Sequence, residues 1–404
     1  MKKNAIVGQS GGPTAAINAT LAGVIRKALQ SDKIDRIYGM KNGIQGLLSG
    51  ETAELGEIFK DGQKLKLLKN TPASAIGSCR QKLPENMNDP IYEKIFRILF
   101  SMDIEYFFYI GGNDSMDTVK KLSLYAKENG LGTKIVGVPK TIDNDLCGTD
   151  HTPGYGSAAK YIAATAQEIC LDNAVYRTKS VVIIEIMGRD AGWLTAASAL
   201  PRLYGEKAPD LLYLPECEFS NERFILDTEK KLKENPDITI AVSEGIKYAG
   251  GGYVCEAADT DIFGNKQLSG TAARLKHIVK ENLGCKVRAI ELNTPQRCAS
   301  HISSLCDLDE AEKIGFEAVG AAQAGKSGIM MIYRRISSDP YKIKIGYENI
   351  DNIAQKTKTV PPEYINEEKN DVTYACLEYI APLVRGEPKL LYQNGIQRFF
   401  KLWI

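Results

Sequence analysis

Lys140, Thr141, Asp143 and Asp145 follow the apolar run Ile135–Val138 and its terminating Pro139. Two carboxylates, a hydroxyl and a cation packed so closely suit metal-assisted transfer of an anionic group. Their place sharpens the reading, because open parallel sheets bind ligands in the crevice beyond the carboxyl ends of their strands. Two more strand-to-loop junctions carry glycine pairs. Gly8-Gln-Ser-Gly11-Gly12-Pro-Thr14 follows the first apolar run, and Ile110-Gly111-Gly112-Asn113-Asp114-Ser115 follows Tyr106–Ile110. Glycine lets backbone amides approach a phosphate, and a following helix adds its dipole. Taken singly, each motif has a plainer meaning. Gly11-Gly12 is also a tight strand-to-helix turn, Asp114 and Ser115 could simply cap a helix, and Arg80 in Gly77-Ser78-Cys79-Arg80 could be a solvated surface arginine. Asp143 and Asp145 could be loop aspartates in Asx turns.

These groups need a scaffold. Strand-like runs at 5–7, 106–110, 134–138, 180–186, 211–214 and 238–242 alternate with helix-length segments at 15–29, 115–129 and 157–172. That is the α/β pattern of parallel-rich sheets, and 404 residues exceed one compact domain. A net charge of +1 gives no field to gather nucleic acid or a membrane surface. No run of about eighteen apolar residues is present. Nine cysteines without C-x-x-C spacing read as reduced, mostly buried thiols. With no signal-peptide pattern at the N-terminus, the expected location is the cytoplasm.

Two motif matches fail on context. Gly320 to Ser327 spells a P-loop, but a helical segment (308–324) precedes it and a strand (328–333) follows, so it meets the wrong helix end. Gly154-Tyr-Gly156 lacks a leading strand and reads as a helix start after a domain crossing. His151, His277 and His301 show no metal spacing and read as structural.

In the order Gly11-Gly12, G-S-x-R at 77–80, Gly111–Ser115, Thr-Ile-Asp-Asn-Asp at 141–145, Met187-Gly188-Arg189 and Ser243-Glu244-Gly245, the chain resembles the phosphofructokinase family, from about residue 5 to about residue 335. Within it the chain looks like the pyrophosphate-dependent branch. The resemblance implies two Rossmann-like α/β domains with the active site in the cleft between them. Residues 1–154 plus 296–338 would hold the phosphoryl donor, and 155–295 plus 339–404 fructose 6-phosphate.

The same resemblance implies the roles. Asp143 takes the proton from the sugar hydroxyl, Thr141 positions the sugar, and Arg80 reaches the transferring phosphoryl group. Gly11, Gly12, Asn113, Asp114, Ser115 and Lys140 bind the donor. Asp145, Met187, Gly188, Arg189, Glu244, Arg288 and Arg297 bind the sugar phosphate, with Arg288 reaching across a homodimer interface. Asn113 and Asp145 would hold Mg2+.

Several positions depart from the family pattern. Asn113 and Asp114 replace an aspartate and a glycine of ATP-using members. Lys140 also replaces a glycine, and a Lys140–Asp114 pair would favour pyrophosphate. Thr294 replaces a histidine, and Ser180 replaces a phosphate-binding arginine, for which Lys179 or Arg177 could substitute. Ala22 replaces an effector-site arginine, only Arg26 keeping that pattern, so nucleotide-type allostery is not expected. Lys356 and Lys358 read as a solvated loop that could reach the anionic site. The same transfer from ATP, a non-catalytic regulatory subunit and a bare nucleotide-binding module stand as alternatives.

Overall fold

The computed structural model describes residues 2–175, 178–255, 268 and 270–401. Its main strands are β1 (Lys3–Gln9), β2 (Ile34–Met40), β3 (Thr52–Glu54), β4 (Ile104–Gly111), β5 (Lys134–Pro139), β6 (Ser180–Ile186), β7 (Leu211–Tyr213), β8 (Glu218–Phe219), β9 (Asp237–Ser243), β10 (Lys247–Tyr248), β11 (Lys286–Glu291), β12 (Ile329–Ser338) and β13 (Tyr341–Asn349). Seven of them form one sheet in the order β13-β12-β5-β4-β1-β2-β3, and four form a second, β11-β6-β9-β7. In the first sheet β2, β1, β4, β5 and β12 run parallel, with an antiparallel strand at each edge. The second is parallel throughout.

Continuous apolar runs explain why the central strands of both sheets are buried on both faces. Ala5, Ile6 and Val7 of β1 are inaccessible to solvent, as are Phe107 to Ile110 of β4 and Ile183 and Ile184 of β6. The seven-stranded sheet separates two apolar clusters, one with Ile17 and Val319, the other with Tyr92 and Met330. The four-stranded sheet does the same with clusters around Trp193 and Phe224. Helices Ile17–Leu29 and Leu305–Gln323 cross over the first sheet in backbone contact. A Cβ on Gly23 would lie 1.9 Å from the Glu312 carbonyl oxygen, and one on Gly315 would lie 2.1 Å from that of Thr20. Any larger residue would force these helices apart.

The chain leaves the first sheet after β5, enters the long helix Tyr155–Asn173, builds the second sheet, and returns through β12. β13 extends the seven-stranded sheet beyond 339–340, where the sequence suggested a crossing. A hairpin return explains this: β12 turns straight back on itself, and Tyr341 pairs with Ser338. Residues after Asn349 then pass behind the β5 loop and on to the helix Tyr374–Ile380, packed in the Trp193 cluster.

The P-loop look-alike lies as expected at the C-terminal end of the helix Leu305–Gln323. Gly154 precedes the helix Tyr155–Asn173, whose first amides are occupied by the Asp307 carboxylate, 2.9 Å from Gly154 N and 3.0 Å from Ser157 N. None of the nine cysteines is in a disulfide, but only Cys79, Cys170 and Cys376 are buried. The others are half-buried, because scattered cysteines fall on helix and strand margins as well as in cores. No helix among the described residues is long and apolar enough to cross a membrane.

Candidate active site

The carboxyl ends of β1, β4 and β5 meet those of β6 and β9 across a cleft of about 430 Å³. It is lined by Gly11, Gly12, Arg80, Asn113, Asp114, Ser115, Lys140, Thr141, Asp143, Asp145, Met187, Arg189, Glu244 and Arg297. Gly188 supports the wall: its amide approaches Glu244 Oε1 at 3.4 Å, and its carbonyl accepts from the Ser243 hydroxyl.

Lys140 turns back under the first glycine loop, its ammonium donating to the Gly12 carbonyl at 2.6 Å. A Cβ on Gly11 would sit 3.5 Å from Lys140 Nζ, and one on Gly12 would sit 3.5 Å from Arg297 Nη1. Two cations thus stand in van der Waals range of one glycine turn, at which Gly11 holds a left-handed φ of 76°. Arg297 Nε is buried without a partner among the described residues. Ser78 Oγ donates to the Gly11 carbonyl at 2.6 Å and ties the Arg80 loop to the same turn.

The β5 loop is held by its own hydroxyl. Thr141 Oγ1 accepts the Asp143 amide at 3.1 Å and lies 3.4 Å from Asp143 Oδ2. Burial pushes the Asp143 carboxyl up to about 7, with the charge of Asp145 adding to it, while Lys140 and Thr141 pull it down. Burial also raises Asp145. Glu244 is pushed up to about 7 by burial and by Asp143. Burial brings the Lys140 ammonium down to about 8 against the pull of both aspartates. Groups poised near neutrality can accept and return a proton at physiological pH.

Asn113 Nδ2 donates to Asp145 Oδ2 at 3.1 Å. The remaining oxygens, Asn113 Oδ1 and Asp145 Oδ1, are buried and unpartnered among the described residues. No cluster of three or more His, Cys, Asp or Glu there could hold a metal alone. Two adjacent oxygens with one carboxylate charge fit Mg2+, which keeps several waters and takes substrate phosphate oxygens as ligands.

Some expectations change. Asp114 is exposed and pairs with Lys82 at 3.4 Å, while Lys140 is drawn inward to Gly12 and the β5 aspartates. The first turn of the helix Asn113–Glu128 has no side-chain cap, so neither Asp114 nor Ser115 caps it. Arg288 lies on edge strand β11, outside the cleft, 3.5 Å from Asp172. Ser180 is buried and donates to Asn173 Oδ1 at 2.8 Å, Lys179 is exposed, and Arg177 falls outside the described residues. Ala22 is buried, and Arg26 is committed to Glu312 at 3.0 Å. Lys358 is no solvated loop residue: its ammonium meets Asn144 Oδ1 and the carbonyls of Thr149 and Asp150.

Other residues at the site escaped sequence reasoning. Gln81 and Asp190 line the cleft directly after the G-S-x-R and Met-Gly-Arg runs, and Thr357 reaches it from a segment without a motif. Buried Gln296 accepts the Met187 amide at 3.0 Å and so fixes the β6 loop. Its position beside Arg297 was the only available signal.

A family model described as Phosphofructokinase matches residues 4–322. The chain belongs to the phosphofructokinase family. Pyrophosphate–fructose 6-phosphate 1-phosphotransferase of Halomonas elongata is 37% identical over 403 residues, covering 99% of this chain and 96% of that one. The protein of that name from Xanthomonas campestris pv. campestris is 38% identical over 404 residues, again covering 99% and 96%. Among solved structures, the pyrophosphate-dependent phosphofructokinase of Nitrosospira multiformis superposes with a TM-score of 0.89 at 36% identity, covering 98% of this chain and 95% of that chain.

Proposed function

We propose that this phosphofructokinase transfers a phosphoryl group reversibly from pyrophosphate to the 1-hydroxyl of fructose 6-phosphate, giving fructose 1,6-bisphosphate and phosphate. One observation carries the reading: a buried carboxylate poised near neutrality, Asp143, shares a single cleft with a glycine-and-cation phosphate cradle. Full-length likeness to proteins bearing that activity's name supports it.

In this reading the seven-stranded side holds the donor and the four-stranded side the sugar phosphate. Asp143 accepts the proton of the sugar hydroxyl as it attacks phosphorus in line. Lys140, Arg80 and the Gly12 backbone offset charge on the transferring oxygens, which is where phosphoryl-transfer catalysis mostly lies. Thr141 keeps Asp143 aimed. Met187, Arg189 and Glu244 seat the sugar, and Arg297 binds a phosphate oxygen. Mg2+, held at Asn113 and Asp145, would neutralise donor charge. Arg288 would complete the partner's sugar-phosphate site in a cytoplasmic homodimer, since it has no part in its own chain's cleft.

Asp114 sets the donor preference. In ATP-using relatives its position is usually glycine. A carboxylate there stands where the α-phosphate would lie, and like charges about 4 Å apart repel by about 1 kcal/mol in water and about 4 kcal/mol near a protein surface. Pyrophosphate has no α-phosphate or nucleoside to meet it. Initial rates with magnesium pyrophosphate and magnesium ATP test the proposal, on the native protein and on Asp114→Gly and Asp114→Gly/Lys140→Gly. Pyrophosphate should be strongly preferred, and the preference should fall by about fivefold or more in Asp114→Gly, which the lower repulsion figure alone requires. Native kcat/KM for ATP equal to or above that for pyrophosphate would overturn the donor assignment.

A further inference from the structure

Asn144 stands between the two aspartates and adopts a left-handed backbone, φ 55°. It is wholly buried. It joins Asp143 to Asp145, both of which line the cleft, so its orientation bears on the two together. Both ends of its amide are gripped from the last segment of the chain. Lys358 Nζ donates to Asn144 Oδ1 at 3.2 Å. Asn144 Nδ2 donates to the Tyr379 hydroxyl oxygen at 3.1 Å. The same ammonium closes the loop at its far end, on the Thr149 carbonyl at 3.2 Å and the Asp150 carbonyl at 2.8 Å. The Tyr379 hydroxyl donates to that Asp150 carbonyl at 2.5 Å. The main chain joins in, with the Lys358 amide on the Asp145 carbonyl at 2.7 Å. Trp193 Nε1 in turn donates to the Lys358 carbonyl at 3.1 Å and anchors the segment to the four-stranded side.

We propose that Lys358 and Tyr379 are positioning residues that clamp Asn144 and thereby hold Asp143 and Asp145 in reacting geometry. The inference rests on the reading of Asp143 as the base. Neither residue lines the cleft; both hold Asn144, and Lys358 also bonds the Asp145 carbonyl through its amide. Loss of the clamp should therefore lower kcat and leave substrate binding largely intact, since a shift of about 1 Å in a reacting group can cost about a hundredfold in rate.

The test uses the full chain with whichever donor, magnesium pyrophosphate or magnesium ATP, the native protein turns over. Lys358→Met should lose about ten- to a hundredfold in kcat, and Tyr379→Phe about three- to tenfold, with both KM values within about threefold of native. Asn144→Gly keeps the left-handed backbone and removes both anchors. The double variant Lys358→Met/Asn144→Gly should then be no slower than the worse single variant, because coupled residues do not add. A general loss of structure would instead multiply the two losses, and that result overturns the clamp. So does a folded Lys358→Met with kcat within about twofold of native. If Lys358→Met shows no cooperative melt, Tyr379→Phe decides: kcat within about twofold refutes the proposal, and a larger loss at unchanged KM supports it. Asp143→Asn measured alongside separates the two ideas, since near-normal turnover there would fault the base and not the clamp.

Discussion

Replacing Asp143 by asparagine should do two opposite things. The amide is nearly isosteric, and Thr141 Oγ1, 3.4 Å from Asp143 Oδ2, can serve it as well. Without a base, kcat should fall about a hundredfold or more, with KM for fructose 6-phosphate changing far less. Stability should move the other way. Burial lifts this carboxyl from 3.8 to about 7 in the folded chain. A carboxyl whose folded value lies above its unfolded one penalises the native state as pH climbs from about 4, and the penalty is complete above about 7. At about 1.4 kcal/mol per unit, some three units set a ceiling on the order of 4 kcal/mol. Burying the new amide returns about 1–3 kcal/mol of that, leaving a gain of about 1–3 kcal/mol. Thermal melts with a chelator present should show the variant's Tm raised by a few degrees at pH 8 and lowered at pH 4, where the ionisation penalty has nearly gone and the amide cost remains. Steady-state rates at fixed magnesium supply the other half. A variant with near-normal turnover, or one less stable than native at pH 8, would refute the reasoning.

Two further outcomes are expected. Mixing Arg288→Ala with Asp143→Asn protein under subunit exchange should restore part of the activity, because some sites regain both residues; a fully active monomer in sedimentation contradicts this. His151 lies buried between Asp150 Oδ2 at 2.8 Å and Glu310 Oε2 at 2.7 Å. Burial alone would lower its pKa, but these two partners overcome burial and raise it above 6.5. The imidazolium therefore contributes full stability below about 6.5 and loses it as pH rises through the folded value. Native protein should lose more Tm than His151→Gln between pH 6.5 and 9, and parallel curves for the two would exclude a charged His151.

Much of the parallel framework was legible because fully buried strands read as apolar runs, as at Ile135–Val138 and Val181–Ile184. β2 was not, since Asp35 and Arg36 interrupt it, and β13 alternates half-buried and exposed residues at a sheet edge. The cleft residues that follow buried strands were found together for the same physical reason. Lys358 was misread because its neighbours Lys356, Thr357 and Thr359 are polar and its partners lie far away in sequence, Asn144 among them. Asp114 was given the wrong partner because spacing cannot show that Lys140 turns inward while Lys82 arrives from another loop.

The pairing of β5 with β12, Val136 beside Ile329 and Gly137 beside Met330, bears on how the protein is made. A chain emerges from the ribosome N-terminus first, at about 5–20 residues per second. β5 is complete long before Ile329 exists, so on the order of ten seconds or more passes with its outer edge unpaired. An apolar open edge is a template for sticking to another chain. The strand that carries the loop proposed to hold the base is thus also the one whose edge waits long for its partner during synthesis. Translation stalled before β12 should leave insoluble fragments, and messages that pause there should give poor yields of folded enzyme.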